Sequence, residues 1–363
     1  MRCLIVQNRL GPDGRSRCVA EFVGLLNELG IEPRIVSVAR QDPDIGRTFG
    51  VRGLRYSFSQ PLRWPSHPSA HNLEVLLTNL LARKVIREYQ PDLVFNSNNI
   101  WNFLPSGPRY LHYFHGIPLR PLLQQIGREK DGVWPAYATA VRVLTRDVPL
   151  PPGSQLVANS QFVRDAIVAR QSLEVALIYP PAWSGEVRPG RPDARRVVTL
   201  ASFHPVKRQL EQIEIARQLP DWKFVLLGSQ WSAQYTREVQ RAALELPNVE
   251  VIVDPTRQRI DEELARASHF VHTARPEGFG IVAVEAAAAG CVPVVVDAGG
   301  IREIVEPAEL RFTTVAGCVN ALLLSAGDSG RDLLRAVQER LFRFSAAAYR
   351  TAMKALVLGT AGA

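Results

Sequence analysis

The sequence contains no apolar run long enough to cross a membrane, and its few cysteines follow no known spacing. A membrane-spanning helix needs about 20 consecutive apolar residues, and every apolar stretch here is shorter. The four cysteines (Cys3, Cys18, Cys291 and Cys318) are scattered and form no C-x-x-C pair, which argues against a disulfide framework or a zinc site. We therefore expect reduced thiols and a cytoplasmic protein whose first residues form a β-strand rather than a signal peptide.

Motifs of several common enzyme classes are absent as well. No G-x-G-x-x-G follows the first strand, so a dinucleotide-dependent dehydrogenase is disfavoured. Neither G-x-S-x-G nor H-E-x-x-H occurs, so the sequence gives no sign of a serine hydrolase elbow or a zinc protease helix. A D-x-D, Asp42-Pro43-Asp44, lies in a proline-rich loop, where acids are usually solvated. We therefore expect no metal site and no cofactor.

Length and charge leave several classes of partner open. The chain has 363 residues, above the usual size of a single core, so two domains are expected. Its net charge of +8 is uneven, because residues 1–183 carry +7 and residues 184–363 carry +1. This basic excess suits phosphates, an anionic membrane face or nucleic acid, or it simply keeps a solvated surface soluble.

Apolar spacing and turn residues predict strands that alternate with helices in both halves of the chain. Residues 183–195 are rich in proline, glycine and charge, as is typical of a linker. We predict an α/β protein with two Rossmann-like, doubly wound domains, residues 1–182 and 196–335, which face each other across a cleft. The helical segment from about 340 to 358 is expected to pack back on the first domain.

The most informative stretch is Phe270 to Gly290, in which Glu277 and Glu285 stand eight residues apart. Gly278-Phe279-Gly280 follows the first acid, an apolar strand precedes it, and an alanine-rich helix begins at Ile281. Open α/β sheets bind ligands at the carboxyl ends of their strands. Backbone N–H groups at a helix start suit a phosphate and a carboxylate suits sugar hydroxyls, so the pattern points to a nucleotide sugar.

These residues also resemble a known family. Glu277 and Glu285 reproduce an E-x7-E signature, and Ala201–Gln209 is similar to a strand-to-helix loop that ends in a phosphate-binding lysine. Further segments that match, the last only weakly, are Val157–Phe162, Ile178–Pro181, Gly299–Val305 and Asp13–Arg17. Together they resemble the retaining GT-B glycosyltransferases of family 4 over most of residues 1–310. The resemblance implies a UDP- or GDP-sugar donor and an acceptor hydroxyl.

The resemblance assigns roles to several residues of the second domain. Lys207, expected to open a helix, would bind the diphosphate; Glu277 would contact the donor sugar near the reacting centre; and Glu285 would bind the nucleotide ribose. The backbone N–H groups expected to contact the donor are those of Gly278, Phe279, Gly280 and Ile281. Each residue also has a plainer interpretation: a surface lysine, an acid near a helix start, or a tight turn.

Four other positions are less clear. Many family members carry an arginine where this chain has Ser202, and Arg208 is a candidate to compensate for it. Gly14 is a candidate for a close backbone approach to phosphate, although turns also require glycine. His115 is expected to contact the donor sugar, although a lone histidine is more often a core residue and His112 stands close by in sequence.

The expected reaction is the transfer of a sugar with retained anomeric configuration. The resemblance implies front-face attack, in which the departing phosphate helps to deprotonate the acceptor and no metal is needed. Two alternatives stay open. A nucleotide-sugar epimerase of the same fold would release a monosaccharide without an acceptor, and a non-catalytic nucleotide- or sugar-binding protein would carry a decayed donor site.

The acceptor is the part that the sequence leaves undefined, because residues 40–150 match the family only loosely. A glycan, a lipid or a small molecule is possible, and no nucleic-acid partner is expected. Basic and aromatic residues cluster early in this region: Phe49, Arg52, Arg55, Tyr56, Phe58, Arg63 and Trp64. They would suit peripheral contact with the inner face of a membrane or an anionic acceptor, or they form a packed loop.

Overall fold

The computed structural model describes residues 1–40, 44–59, 71–117, 149–171, 173–183, 190 and 192–359. They divide into two compact units. Unit 1 comprises Met1–Pro181 together with Ala347–Ala363, and unit 2 comprises Ala182–Ala346. Within the described ranges, no helix is both long and apolar enough to span a bilayer.

Unit 1 is built on a seven-stranded parallel sheet in the part of the chain that the structure describes. In chain order the strands of the unit are β1 (Cys3–Val6), β2 (Arg9–Leu10), β3 (Arg34–Val36), β4 (Ala39–Arg40), β5 (Ser57–Ser59), β6 (Leu93–Asn96), β7 (Arg109–Phe114), β8 (Ser154–Ala158) and β9 (Val175–Leu177). The main sheet has the order β5-β3-β1-β6-β7-β8-β9, while β2 and β4 form a separate parallel pair. The strand order therefore reverses between β1 and β6.

The helices of unit 1 that precede unit 2 are α1 (Gly14–Glu28), α2 (Ile45–Phe49), α3 (His71–Tyr89) and α4 (Gln161–Gln171). Helix α1 forms because Val19, Phe22, Val23 and Leu26 recur with helical spacing and are fully buried against the sheet. It begins at Gly14, since the side chain of Asp13 accepts the Ser16 N–H at 2.8 Å and caps the helix.

Unit 2 has a six-stranded parallel sheet in the order β12-β11-β10-β13-β14-β15. Its strands are β10 (Asp193–Leu200), β11 (Lys223–Gly228), β12 (Val249–Val253), β13 (Ala267–His272), β14 (Val292–Val296) and β15 (Arg311–Phe312). Its helices are α5 (Gln209–Arg217), α6 (Ala233–Ala243), α7 (Arg257–Arg266), α8 (Ile281–Ala288), α9 (Val315–Leu324) and α10 (Asp328–Gln338). Here the order reverses between β10 and β13.

Unit 2 differs from the sequence-based prediction at both ends. Strand β10 begins at Asp193, inside the expected linker, because Asp193 already pairs with Ala267 of β13. The unit also continues past residue 335, since the 3₁₀ turn Leu341–Phe344 buries Phe344 against the ring of Phe279 at 5.2 Å. Residues 184–189 and 191 of the expected linker lie outside the described residues.

The last helix, α11 (Ala346–Leu358), packs within unit 1. Tyr349 and Met353 are buried in the same apolar cluster as helix α1. The Tyr349 hydroxyl donates to the Cys18 carbonyl at 3.2 Å, and Arg350 pairs with Glu21 at 2.7 Å. Burial of each such apolar side chain stabilises the unit by about 1.5–3 kcal/mol. Helix α11 is therefore part of the core of unit 1.

Candidate functional site

The candidate site of unit 2 lies where its strand order reverses. Residues 201–208 follow β10 and residues 273–280 follow β13, and these two strands are neighbours in the sheet. Both segments therefore leave the sheet at the carboxyl ends of adjacent parallel strands, the usual location of a ligand in an open α/β sheet. The expected residues Lys207 and Glu277 belong to one segment each.

Lys207 and Glu277 form an ion pair across these two segments. Lys207 Nζ donates to Glu277 Oε2 at 2.7 Å, and the Nε2 atom of His272 lies 3.2 Å from the same oxygen. Burial acts to raise the pKa of Glu277, but the charge of Lys207 and the hydrogen bond from His272 outweigh it. The net effect is a pKa well below the usual range, so Glu277 is a carboxylate at neutral pH.

The sequence had suggested that Lys207 opens a helix, but the structure shows that it does not. It ends the 3₁₀ turn Pro205–Lys207, and Arg208 follows with a left-handed φ of 56° before α5 begins at Gln209. The change of direction leaves the Lys207 side chain partly exposed, with 28% of its surface accessible. Lys207 therefore stands on a short turn whose position depends on contacts with the neighbouring segment.

Hydrogen bonds fix that turn against strand β13. Thr273 Oγ1 donates to the Lys207 carbonyl at 2.7 Å and accepts from Gln212 Nε2 at 2.8 Å. Thr273 and Gln212 are both buried, so these bonds face little competition from water. The backbone at Lys207 is consequently tied to the same strand that ends in His272.

A bidentate ion pair joins residues 273–280 to helix α5. Arg275 donates to both carboxylate oxygens of Glu211, at 2.6 and 2.9 Å, and also to the Thr313 carbonyl at 3.1 Å. Arg208, a candidate phosphate ligand, donates to Glu211 at 2.7 Å while its side chain stays 49% exposed. Burial acts to raise the pKa of Glu211, but Arg275 and Arg208 hold it below its usual range.

The Gly-Phe-Gly segment brings the backbone past Glu277 into helix α8. Gly280 has a φ of 97°, and a Cβ atom there would lie 2.9 Å from the buried side chain of Ile301. Phe279 is buried against Phe344, while Gly278 between it and Glu277 is partly exposed. Gly280 and Phe279 thus fix the direction in which the helix leaves the site.

Helix α8 begins at Ile281 and has no side-chain cap, so the N–H groups of its first turn are not bonded by a capping side chain. Glu285 lies in the second turn, where its neighbours Ala283, Val284, Ala286 and Ala287 are buried. Its carboxylate is 17% exposed and lies 3.8 Å from Arg257 at the start of α7. The opposite charge raises the pKa of Arg257 against the effect of burial.

The other candidates are placed as follows. Ser202 lies after β10, and its carbonyl accepts from Gln209 Nε2 at 2.8 Å. Gly14 is the first residue of α1 and its φ is not left-handed, so its conformation does not demand glycine. Asp42 and Pro43 of the D-x-D, together with Arg63 and Trp64, lie outside the described residues, while Asp44 caps α2.

His115 belongs to unit 1, where it follows β7. Its ring Nε2 atom lies 2.8 Å from Ser97 Oγ. Its backbone N–H donates to Asn99 Oδ1 at 3.0 Å, and its backbone carbonyl accepts from Asn159 Nδ2 at 3.0 Å. Burial and the nearby charge of Arg15 hold the pKa of His115 well below its usual value. The ring is therefore neutral at physiological pH and lies beside Ser97, which follows β6, one of the two strands between which the unit 1 order reverses.

Sequence reasoning missed the residues that hold the site together. His272, Thr273 and Arg275 precede Glu277 by a few positions; His272 contacts Glu277 itself, whereas Thr273 and Arg275 find their partners in residues 207–212. One signal in the sequence could have identified them: they stand in succession where an apolar strand ends. Among the described residues, no cluster of His, Cys, Asp and Glu could hold a metal ion.

Two family models match the chain, one over each unit. A model of Glycosyltransferase Family 4 matches residues 12–182, and a model of Glycosyl transferases group 1 matches residues 187–325. Two curated proteins share 30% identity with short parts of the chain. They are the GDP-mannose:cellobiosyl-diphosphopolyprenol alpha-mannosyltransferases of Xanthomonas campestris, over 92 residues, and of Xanthomonas oryzae pv. oryzae, over 81 residues. These matches span 24% and 21% of the relatives' own lengths and 24% and 22% of this chain.

Solved structures share the fold over nearly the full length. WaaG, a glycosyltransferase involved in lipopolysaccharide biosynthesis, superposes with a TM-score of 0.73 at 14% identity and covers 100% of both chains. Sucrose-phosphate synthase from Thermosynechococcus elongatus gives a TM-score of 0.73 at 17% identity, over 99% of this chain and 98% of that one. The two family models show that the chain belongs to glycosyltransferase family 4, and the shared fold is the GT-B fold.

Proposed function

We propose that the protein transfers a sugar from a nucleoside diphosphate donor to an acceptor hydroxyl, with retained anomeric configuration and without a metal ion. The observation that carries this proposal is the pairing of Lys207 with Glu277 at 2.7 Å beside the open start of helix α8. A cation, free backbone N–H groups and an ionised carboxylate then lie at one sheet edge. A sugar diphosphate needs these three kinds of contact.

Lys207 supplies the positive charge for the diphosphate. The leaving group gains negative charge as the sugar bond breaks, so a cation at this position binds the transition state more tightly than the ground state. Glu277 holds Lys207 in place and neutralises it when no donor is bound. The diphosphate competes for Lys207 on binding, and the N–H groups at the start of α8 bind a phosphate oxygen.

The two carboxylates have different tasks. Glu285, four residues into α8, accepts the hydroxyls of the nucleotide ribose, and Arg257 lies close enough to limit its orientation. Glu277 is held ionised, so it cannot act as a general acid; it accepts hydroxyls of the donor sugar and stabilises positive charge at the anomeric carbon. The acceptor hydroxyl then attacks the anomeric carbon from the same face that the diphosphate leaves, and the departing phosphate takes its proton. Attack on that face retains the configuration.

The names of the two curated relatives direct the choice of substrates. Both are described as GDP-mannose-dependent and as acting on a diphosphopolyprenol-linked glycan. We propose GDP-mannose as the first donor to test and a lipid-linked glycan as the first acceptor. Peripheral contact with the inner face of a membrane would follow from such an acceptor.

The first test is the thermal stability of the protein with GDP, UDP, ADP or dTDP, each in the presence of EDTA and then of magnesium. Binding to the native state raises the unfolding midpoint with ligand concentration. One nucleotide should raise it equally with EDTA and with magnesium, and its sugar conjugates are then assayed for transfer. No shift at ligand concentrations of about 1 mM contradicts the donor site. Release of a free, altered monosaccharide without an acceptor indicates an epimerase instead.

A further inference from the structure

We propose that His272 is a positioning residue, which holds the Glu277 carboxylate in its working orientation after the donor has drawn Lys207 away. The proposal rests on the function proposed above and adds to it a residue at the end of strand β13. His272 was not among the site residues expected from the sequence. Its side chain contacts Glu277 and the ring of Phe270, while its backbone belongs to strand β13.

The geometry places two donors on one oxygen of Glu277. Lys207 Nζ lies 2.7 Å from Oε2 and His272 Nε2 lies 3.2 Å from it. Among the described residues, no hydrogen bond reaches the Oε1 atom. One oxygen is therefore anchored by the protein and the other is left to accept hydroxyls from a ligand.

The burial of His272 determines which ring nitrogen carries the proton. The side chain is 3% exposed, and its Nδ1 atom is buried without a hydrogen-bond partner in the described part of the chain. An N–H at Nδ1 would thus be a buried donor without an acceptor, which is unfavourable. A proton on Nε2 instead points at a carboxylate, so the ring is a fixed donor to Glu277.

The two anchors differ in how firmly they are held. Lys207 reaches Glu277 with a long, partly exposed side chain from a short turn, and a diphosphate would compete for it. His272 is the last residue of a central strand and is packed in the interior. When Lys207 turns to the diphosphate, His272 is the remaining described donor that keeps Glu277 in place.

The other charged groups near this segment are already paired. Arg275 and Arg208 bind Glu211, and Arg302 binds Asp297 at 3.1 Å. None of these three arginines forms an ion pair with Glu277 among the described residues. A substitution at His272 therefore removes a contact that no neighbouring cation is placed to replace.

Two substitutions separate the hydrogen bond from the packing. His272→Gln places an amide N–H near the position of Nε2 and retains the donor, whereas His272→Asn ends near the position of Nδ1 and cannot reach Glu277. We expect the Asn variant to lose about tenfold in kcat, with a donor KM within about threefold of wild type. The Gln variant should recover most of the loss.

His269→Asn is the matched control. His269 lies on the same strand, is also 3% exposed, and its ring contacts Ser325 rather than the site. It should lower the unfolding temperature without the selective loss of kcat. Equal turnover of folded His272→Asn and wild-type protein contradicts the proposal, and so does a Gln variant as slow as the Asn variant.

A second measurement does not depend on any substrate. Long-range ¹H–¹⁵N spectra of the full chain identify the tautomer of each histidine, and His272→Gln assigns the signal by its loss. We expect the Nε2–H tautomer for His272 at pH 7, and a shift of its signal in Glu277→Gln. The Nδ1–H tautomer would overturn the proposal. Absence of any sugar transfer by wild-type protein would count against the proposed function alone, since this spectrum tests the His272–Glu277 contact itself.

Discussion

The carboxyl edges of the two sheets place different chemistry at equivalent positions. In unit 2, where β10 and β13 meet, Lys207 and Glu277 present a positive and a negative charge that are both partly exposed. In unit 1, where β1 and β6 meet, the corresponding edge carries Ser97 and asparagines around a neutral His115. Of the ions of unit 1 close to this edge, Arg9 pairs with the fully buried Glu74 at 2.8 Å, and the partly exposed Arg15 lies 3.4 Å from Asp13.

This difference indicates a division of labour between the sheets. Exposed ions at a sheet edge bind a charged group such as a diphosphate, whereas amides and hydroxyls bind other hydroxyls without selecting for charge. Charge-removing substitutions should therefore be severe in unit 2 and mild in unit 1.

Lys207→Ala should lower kcat by about a hundredfold or more, because it removes the cation that we propose stabilises the departing diphosphate. The measurement is initial turnover at saturating donor. Lys223→Ala is the control, since Lys223 pairs with Glu250 at the surface of the same unit at 3.3 Å. Turnover of the Lys207 variant at the wild-type rate contradicts the assignment of the diphosphate site to unit 2.

Glu277→Gln should lower kcat by about tenfold to a hundredfold, because the amide keeps the shape of the side chain and loses its charge. Its effect on nucleoside diphosphate affinity should be small, as Lys207 stays available. Kinetics and calorimetric titration with the nucleotide measure the two effects separately. If affinity falls in proportion to kcat, Glu277 acts on the phosphates and not on the sugar.

The same variant changes how stability depends on pH. The pKa of Glu277 is lowered by folding, so its ionised form stabilises the protein above pH 4.5, and that contribution is lost as pH falls through the folded pKa. Wild-type protein should exceed Glu277→Gln in stability by about 1 kcal/mol at pH 7, with a smaller gap at pH 3.5. Thermal unfolding across this range measures it, and a gap that widens in acid contradicts the ionised pair.

His115→Ala should reduce transfer about tenfold and leave the affinity for the free nucleoside diphosphate unchanged. The expected role of His115 is contact with a sugar, and its ring is neutral. Binding of the nucleotide by calorimetry is compared with transfer kinetics. Loss of nucleotide affinity in this variant would show that the neutral edge of unit 1 also binds phosphate, and the proposed division of labour would fail.

Ser202→Arg is expected to have the smallest effect, a gain of up to about tenfold in nucleotide affinity. It restores the arginine that many family members carry at this position of the loop after β10. Titration with the preferred nucleotide is the measurement, and Ser202→Gln is a neutral control of similar length. A lower affinity for the Arg variant than for the Gln variant shows that this chain places its donor differently.

The sequence allowed the fold class and the two charged residues Lys207 and Glu277 to be predicted, but not the contact between those residues. Glu277 and Lys207 were recognisable by their motifs, although their 2.7 Å contact joins positions far apart in the chain. The helix expected from Lys207 was wrong because Arg208 adopts a left-handed conformation, which its residue type does not favour. His115 and Gly14 remain predictions as donor ligands.

The short elements of residues 39–59 were not predicted, for a physical reason. Strands β4 and β5 have two and three residues, too few for a period-two pattern to be visible. The contacts of Gly299 could not be predicted either, for a different reason. A Cβ there would lie 2.3 Å from the Glu277 carbonyl, an approach that depends on two loops meeting in three dimensions.

The position of helix α11 has a consequence for biosynthesis. Tyr349, Met353, Leu356 and Val357 complete the core around Phe22, yet the ribosome makes them after the whole of unit 2. Domains usually fold in the order in which they are synthesised, but here the first sheet stays open on one side until the final helix emerges. A released chain truncated after residue 346 should therefore combine a protease-resistant unit 2 with a protease-sensitive unit 1.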